Sequence, residues 1–330
     1  MNIYQIVTDP ASVATLKSLH KMNPKTFAAW DFSVAGKMQV TAGHGKVDVG
    51  ENGAVTGLDL GEKKIRNFTH LAELKQLIAL RLNSNKASDL APLAGLTNLT
   101  NLNLGDNMIK DLSPLAGLTN LTNLSLGGNK IKDLSPLAGL TNLTRLSLGG
   151  NKIKDLSPLA GLKELTFLDL SMNDGVSELT PLAGLTKLMK LNLACIAGSD
   201  LAPLAGLTKL TNLDLGWNKI SNLAPLAKLA KLKNLDLGIN EINDLAPLAG
   251  LKNLTDLNLA ENKVSDLAPL AGLKNLTVLF LMENEVSDVS SLAGLTNLIY
   301  LNLSLDKVKD LTSLAGLKNL EISESIIVGA

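Results

Sequence analysis

From Leu80 to Leu303 the chain repeats itself with a period of 22 residues, which restricts it to a stack of like units. The unit reads Leu-x-x-Leu-x-Leu-x-x-Asn-x-Ile-x-Asp-Leu-x-Pro-Leu-Ala-Gly-Leu. It is cleanest at Leu99, Leu102, Leu104, Asn107, Ile109, Asp111, Leu112, Pro114, Leu115 and Leu118. The second strand leucine recurs at Leu82, Leu104, Leu126, Leu148, Leu170, Leu193, Leu215, Leu237, Leu259, Leu281 and Leu303; nine of the ten intervals are 22 residues and one is 23. Such units bury their apolar side against their neighbours only, so length does not force a split into separate cores.

Within Asn101-Leu102-Asn103-Leu104-Gly105 apolar residues alternate, the period of a half-buried strand. Leu102 and Leu104 are expected to point inward and Asn101 and Asn103 outward. About twelve such strands then stack into one parallel sheet. Asparagine ends the strand at positions 85, 107, 129, 151, 173, 218, 240, 262 and 284, where its amide can satisfy backbone groups left over by the ladder; Lys63, Ile196 and Asp306 are the exceptions. The aspartates at 89, 111, 133, 155, 200, 244, 266, 288 and 310 form a column that resembles a metal-binding stripe. Their invariant leucine surroundings point instead to caps on short helical turns, with Pro114 near the start of its turn.

Composition narrows the function. Aromatics are 3% of residues and hydrophobics 45%, so the core is aliphatic. Lysine plus arginine equals aspartate plus glutamate, 31 each, which argues against a polyanion-binding protein, since that class normally shows a basic excess or stripe. No apolar run reaches the length of a membrane span, and Met1 to Pro10 does not read as an export signal. Cys195 is the only cysteine, which excludes an intrachain disulfide.

The ends depart from the period. Asp9-Pro10 reads as a helix start, with Val13, Leu16, Leu19 and Met22 along one face. Phe27, Trp30 and Phe32 follow, and Val47-Asp48-Val49 and Val55 to Leu60 flank Glu51-Asn52-Gly53 as a hairpin. Residues 1–56 are expected to cap the first repeat, 57–318 to form the array, and 319–330 to close it. Ser323 and Ser325 fall where the period places inward leucines, so the repeat is expected to fail there, with Ile326-Ile327-Val328 folding back as a cover.

The unit Asn-x-Ile-x-Asp-Leu-x-Pro-Leu resembles the 22-residue leucine-rich repeat of bacterial internalins over residues 58–318. The segment from Val47 to Leu60 is also similar to the lead-in strand of many leucine-rich-repeat proteins. The resemblance implies an α/β solenoid, a leucine-rich-repeat horseshoe with a parallel concave β-sheet and short 3-10 or helical turns on the convex side. It also implies a surface protein that binds a host receptor. An export signal, an immunoglobulin-like domain and a Leu-Pro-x-Thr-Gly anchor are not read in the sequence; without the export signal the expected location is cytoplasmic on the sequence as given, and secreted or cell-surface if the likeness extends to export. The leucine-rich regulatory subunit of a protein phosphatase, a cytosolic protein-binding family, is the nearest alternative.

The array supplies its own baseline for a partner site. Outward residues in the early units are small and polar: Asn101, Asn103, Asn123, Ser125 and Ser147. Just before the ladder asparagine, Asp106, Gly128 and Gly150 give way to Met172, Cys195, Trp217 and Ile239 in four successive units. Val278, Phe280 and Met282 follow in one later unit and Tyr300 and Leu305 in the next, with Phe167 upstream. Asp169, Asp214 and Asp236 lie on the same face, with Asn192 interrupting them. The expected protein-binding surface is therefore an apolar strip beside an acidic one, comprising Phe167, Asp169, Met172, Asp214, Trp217, Asp236, Ile239, Val278, Phe280, Met282, Tyr300 and Leu305. The structural alternative is that Trp217 and Ile239 lie over the turn and shield backbone.

One residue is inserted near Asp174-Gly175, and in the next unit Ile196 and Gly198 replace the asparagine and the inward isoleucine. Ile196 is expected to fill the resulting core gap; a bend that shapes the face is the alternative. No catalytic set emerges. His20, His44 and His70 have no spaced second ligand, Cys195 has no histidine in the repeats to activate it, and Gly43-His44-Gly45-Lys46 lacks the phosphate-loop spacing. The expectation is a non-catalytic monomer that binds a protein, with no cofactor, no metal, no nucleic acid and no membrane insertion. A regulatory subunit and a solenoid without a defined partner are the other classes.

Overall fold

The structure, a computed structural model, describes residues 9–22, 30–31, 39–42, 45–51, 53–303 and 307–323, with backbone alone for 19–46. The chain divides into two compact units, Met1–Ile153 and Lys154–Ala330.

The first unit opens on helix α1 (Pro10–Met22). Asp9 caps it by accepting the Ser12 N–H at 2.7 Å, and proline suits the first helical position, where no N–H partner is needed. Ser12 Oγ in turn accepts the Val55 N–H at 3.1 Å, tying the helix to the sheet. Strands β1 (Trp30–Asp31), β2 (Gln39–Ala42), β3 (Gly45–Val49) and β4 (Val55–Asp59) pair antiparallel in chain order. The β3–β4 hairpin turns at Gly53, whose φ of +73° suits glycine. From β4 the ladder becomes parallel through β5 (Ala79–Arg81), β6 (Asn101–Asn103), β7 (Asn123–Ser125) and β8 (Arg145–Ser147).

The second unit is parallel throughout, its strands pairing in chain order. They are β9 (Phe167–Asp169), β10 (Lys190–Asn192), β11 (Asn212–Asp214), β12 (Asn234–Asp236), β13 (Asp256–Asn258), β14 (Val278–Phe280), β15 (Tyr300–Asn302) and β16 (Glu321–Ser323). Each strand is three residues long. From β9 to β15 the central leucine is buried, in β16 a half-buried Ile322 takes its place, and the first and third residues form two rows on the open face of the sheet. Opposite the strands each coil makes a single 3-10 turn such as Ser113–Leu115 or Ala246–Leu248, whose third-position leucine closes the core. Parallel sheets are usually covered on both faces, so a face left open needs its own account.

Two side-chain devices hold the coils in register. Asn240 Nδ2 donates to Leu237 O in its own coil and to Leu215 O in the coil before, while its Oδ1 accepts the Ile220 N–H. Asn107, Asn129 and Asn262 repeat the arrangement. Each asparagine thus stitches two coils together from a buried position. The aspartate column caps as expected, one residue earlier than a standard N-cap. Asp111 Oδ1 accepts the Ser113 N–H at 2.8 Å while Leu112 is the N-cap, and Asp133, Asp266 and Asp288 do the same. Hydrogen bonds from Ser113 hold the Asp111 carboxyl below the usual range.

The irregular coil is explained by packing. Ile196 is buried, and its N–H donates to Asn218 Oδ1 at 2.9 Å, so an apolar side chain occupies the asparagine's place. A Cβ on Gly198 would stand 3.0 Å from Ser177 O, leaving no room for the usual isoleucine. The end of the array corrects the sequence expectation. In β16 it is Ile322 that pairs in register with Leu301, and Ser323 pairs with Asn302 in an outward row. The last interval is 21 residues rather than 22, and the repeat runs one strand further than the period implied. The proposed cover Ile326-Ile327-Val328 and Ser325 lie outside the described residues, as do Phe27, Phe32, His44 and Leu305.

Candidate functional site

The open face of the second unit carries two outward rows fixed by strand register. The first runs Phe167, Lys190, Asn212, Asn234, Asp256, Val278, Tyr300 and Glu321. The second runs Asp169, Asn192, Asp214, Asp236, Asn258, Phe280, Asn302 and Ser323. Between Phe167 and Phe280 these rows enclose an open trough of about 370 Å³. Its ends are apolar, and its floor is polar, with Asp214, Asp236 and Asp256 set among asparagines and Lys190. Phe167 and Val278 stand five strands apart, roughly 24 Å at the usual strand spacing.

The apolar end at β14 is a small cluster. The rings of Phe280 and Tyr300 pack with centroids 5.3 Å apart and planes tilted by 54°, a favourable aromatic geometry. Met282 Sδ receives the Asn302 amide at 3.8 Å. On the floor an amide chain crosses three strands: Asn212 Nδ2 donates to Asn234 Oδ1, and Asn234 Nδ2 to Asp256 Oδ2, each at 2.7 Å. Asp214 and Asp236 face each other across β11 and β12. Each accepts the N–H two residues on, from Gly216 at 3.0 Å and Gly238 at 2.9 Å. Burial pushes the Asp214 carboxyl above its ordinary range, and the charges of Asp236 and Asp169 add to the rise. Neither carboxylate has an ion-pair partner among the described residues, and Lys190, exposed on the same face, is also unpaired.

The remaining expected residues lie beyond the strand ends. Met172, Cys195, Trp217 and Ile239 all adopt left-handed backbone, with φ of 54°, 56°, 59° and 57°. The same position is left-handed at Asp106, Gly128 and Gly150, so the early residues are turn formers chosen for their backbone rather than simply small polar surface groups. The sequence carried that signal in its paired glycines. Met172 and Trp217 are about two-thirds exposed, 66% and 65%, whereas Cys195 and Ile239 are half-buried. For a β-branched residue such as Ile239 this conformation is strained.

Phe167, Asp214, Asp236, Val278 and Phe280 therefore line the trough, and Asp169 and Tyr300 continue its rows. Met172, Trp217 and Ile239 form a separate ridge, and Met282 sits past β14. Lys190, Asn192, Asn212, Asn234, Asp256 and Asn258, polar residues that no departure from the repeat singles out as binding residues, complete the lining. Among the described residues no group of three or more His, Cys, Asp or Glu could hold a metal ion, and no helix is long and apolar enough to cross a membrane.

The leucine-rich-repeat family model matches residues 97–139, 141–184, 230–272, 252–294 and 274–316, together over half of the chain. No protein of curated function matches it. Among solved structures, the internalin InlF of Listeria monocytogenes is 31% identical over 97% of this chain and 96% of its own, with a TM-score of 0.79. The functional domain of InlJ from the same organism, described as including a cysteine ladder, is 26% identical over 81% of this chain and 59% of its own, with a TM-score of 0.71. A leucine-rich-repeat protein of Leptospira interrogans is 26% identical over 78% of this chain and 74% of its own, with a TM-score of 0.68. Proteins of this kind are in general protein-interaction modules rather than enzymes. With the repeat matched over half its length and an internalin matched end to end, the chain belongs to the leucine-rich-repeat family, among the internalin-like proteins of bacteria.

Proposed function

We propose that the chain is a non-catalytic recognition module that takes a protein partner on the open face of strands β9–β15. The observation that carries this reading is the change along a fixed register. Positions that are asparagine and serine in β6 and β7 become Phe167, Val278, Phe280 and Tyr300 around a polar floor that carries Asp214, Asp236 and Asp256. An aromatic pair on an open sheet face gains nothing from core burial, yet suits an interface anchor. Asp214 and Asp236 repel one another in the free protein, and a lysine or arginine of the partner would relieve both. The strained ridge of Met172, Trp217 and Ile239 supports the reading as a rim to the same contact, since Trp217 follows Asp214 by three residues.

The test is affinity capture of partner protein by the purified chain, followed by titration with that partner. Phe280→Ala is expected to weaken binding by roughly 30-fold or more, the effect of losing a hot spot of about 2 kcal/mol. Phe167→Ala should follow in the same direction, with both variants melting as cooperatively as the parent. Capture that survives both substitutions unchanged would count against the trough.

A further inference from the structure

A second surface departs from the repeat in a different way. In the loop leading into each strand, the asparagine of Leu-Thr-Asn-Leu or Leu-Lys-Asn-Leu forms a ladder of its own. Asn98, Asn120, Asn142, Asn253, Asn275 and Asn297 each donate Nδ2 to a carbonyl of the preceding coil at 2.7–2.9 Å. In three successive coils of the second unit this residue is Lys187, Lys209 and Lys231. The coil before them has Glu164, and Lys187 reaches back to it at 2.6 Å. Lys209 and Lys231 have no ion-pair or hydrogen-bond partner among the described residues.

At Lys209 and Lys231 the substitution has a cost with no ion pair or hydrogen bond in return among the described residues. Each lysine forgoes the hydrogen bond that asparagine makes to the neighbouring coil, and like charges then stand one coil apart, about 5 Å at the usual strand spacing. Lys233 in the same loop and Lys228 at the end of the turn before it extend the row, Lys190 opens the adjoining strand β10, and residues 183–190, 205–212 and 227–234 contain no acid. All six lysines are exposed. The equal totals of basic and acidic residues therefore conceal a local segregation: this edge is cationic, while the adjoining trough floor carries Asp214, Asp236 and Asp256. The lysines at 110, 132 and 154 also recur in three coils, but each stands beside an aspartate at 111, 133 or 155.

We infer that the row Lys187–Lys209–Lys231 is a docking surface for an acidic polysaccharide laid across the coils. The row offers charge without an aromatic platform, so it lacks what stacks nucleic-acid bases. An extended acidic peptide would place same-side charges about 7 Å apart, wider than the coil spacing. A linear chain of charged sugars carries its groups once per ring, closer to one per coil. Met189, exposed between Lys187 and Lys190, adds an apolar patch on which a sugar ring can rest.

Heparin serves as the probe, immobilised and in solution at near-physiological salt, with polyglutamate and single-stranded RNA as competitors. The full chain is expected to bind it, and the triple variant K187N/K209N/K231N to bind roughly tenfold or more weakly with a flatter salt dependence. Asparagine is the array's own residue at these positions, so that variant is expected to melt at the same temperature or higher, which separates lost binding from lost folding. The control K110N/K132N/K154N makes the same change in net charge and should bind heparin as the parent does. Failure of the parent to bind heparin, an equal loss in the control, unchanged binding by the triple variant, or stronger competition by polyglutamate or RNA than by free heparin would each overturn the inference.

Discussion

Asp214 and Asp236 stand opposite one another in register on adjacent parallel strands, each with one carboxylate oxygen held by the N–H two residues further on. Their neighbours in the row, Asn192 and Asn258, make the same backbone contact through a neutral amide, to Ala194 and Ala260. The fold therefore does not require the charge. Because burial and its acidic neighbours raise the Asp214 carboxyl, it holds a proton more tightly folded than unfolded. Its contribution is most favourable below the unfolded carboxylate value and is lost as pH rises through the folded one. Asp214→Asn is thus expected to stabilise the protein at neutral pH by about 0.5 kcal/mol, the scale of a facing like-charge pair. Denaturation curves at neutral and acid pH should show the gain shrinking toward low pH.

The capping acids move the opposite way. Hydrogen bonds from Ser113, Ser135 and Thr180 hold Asp111, Asp133 and Glu178 below the usual range. Their support is present above the unfolded values and fades as pH falls through the folded ones. Acid unfolding of the parent should therefore begin in the low carboxylate range, and Asp214→Asn should leave that limb in place. Circular dichroism against pH reads both.

The two asparagine ladders should differ sharply in worth. Asn240→Ala leaves the buried Ile220 N–H without its acceptor and takes one of two amide donors from the Leu215 and Leu237 carbonyls, which keep Asn218 and Asn262; the loss is expected to cost about 1–3 kcal/mol. Asn275→Ala removes one exposed bond to Lys252 O and should cost well under 1 kcal/mol. Equal losses in urea denaturation would show that burial is not what distinguishes them.

Backbone strain on the ridge is separable from its side chains. Trp217→Gly is expected to leave stability unchanged or raise it by up to about 1 kcal/mol, since glycine meets a φ of +59° without steric cost. Trp217→Val puts a β-branched residue there and should destabilise. A melting series over the three proteins checks the order.

Much of this architecture was legible in the sequence. The leucine spacing carried the strands, the Asn107 position carried the coil-to-coil stitch, and Asp111 carried the cap, because each depends on local chemistry repeated in every unit. What escaped depended on backbone geometry or on side chains reaching across coils. The left-handed turn at Gly128 and Gly150 is set by backbone conformation, so the replacements Met172 and Ile239 differ from them in backbone strain as well as in side chain. The role of the Asn98 column was invisible until its bond to Lys75 O placed it between coils. The floor residues Asn212, Asn234 and Asp256 look like ordinary repeat polar groups in sequence; register alone makes them one surface.

The central claim is that the trough between Phe167 and Phe280 meets a protein. Its most direct test is site-specific photo-crosslinking, with a benzophenone amino acid placed at Asn234 on the floor and, in a second protein, at Ser265 away from the strands. Exposed to partner-containing extract and irradiated, the chain labelled at position 234 is expected to yield a discrete protein adduct that Phe280→Ala abolishes, and the chain labelled at 265 to yield none. Adducts from position 265 alone, or an adduct at 234 indifferent to Phe280→Ala, would contradict the account.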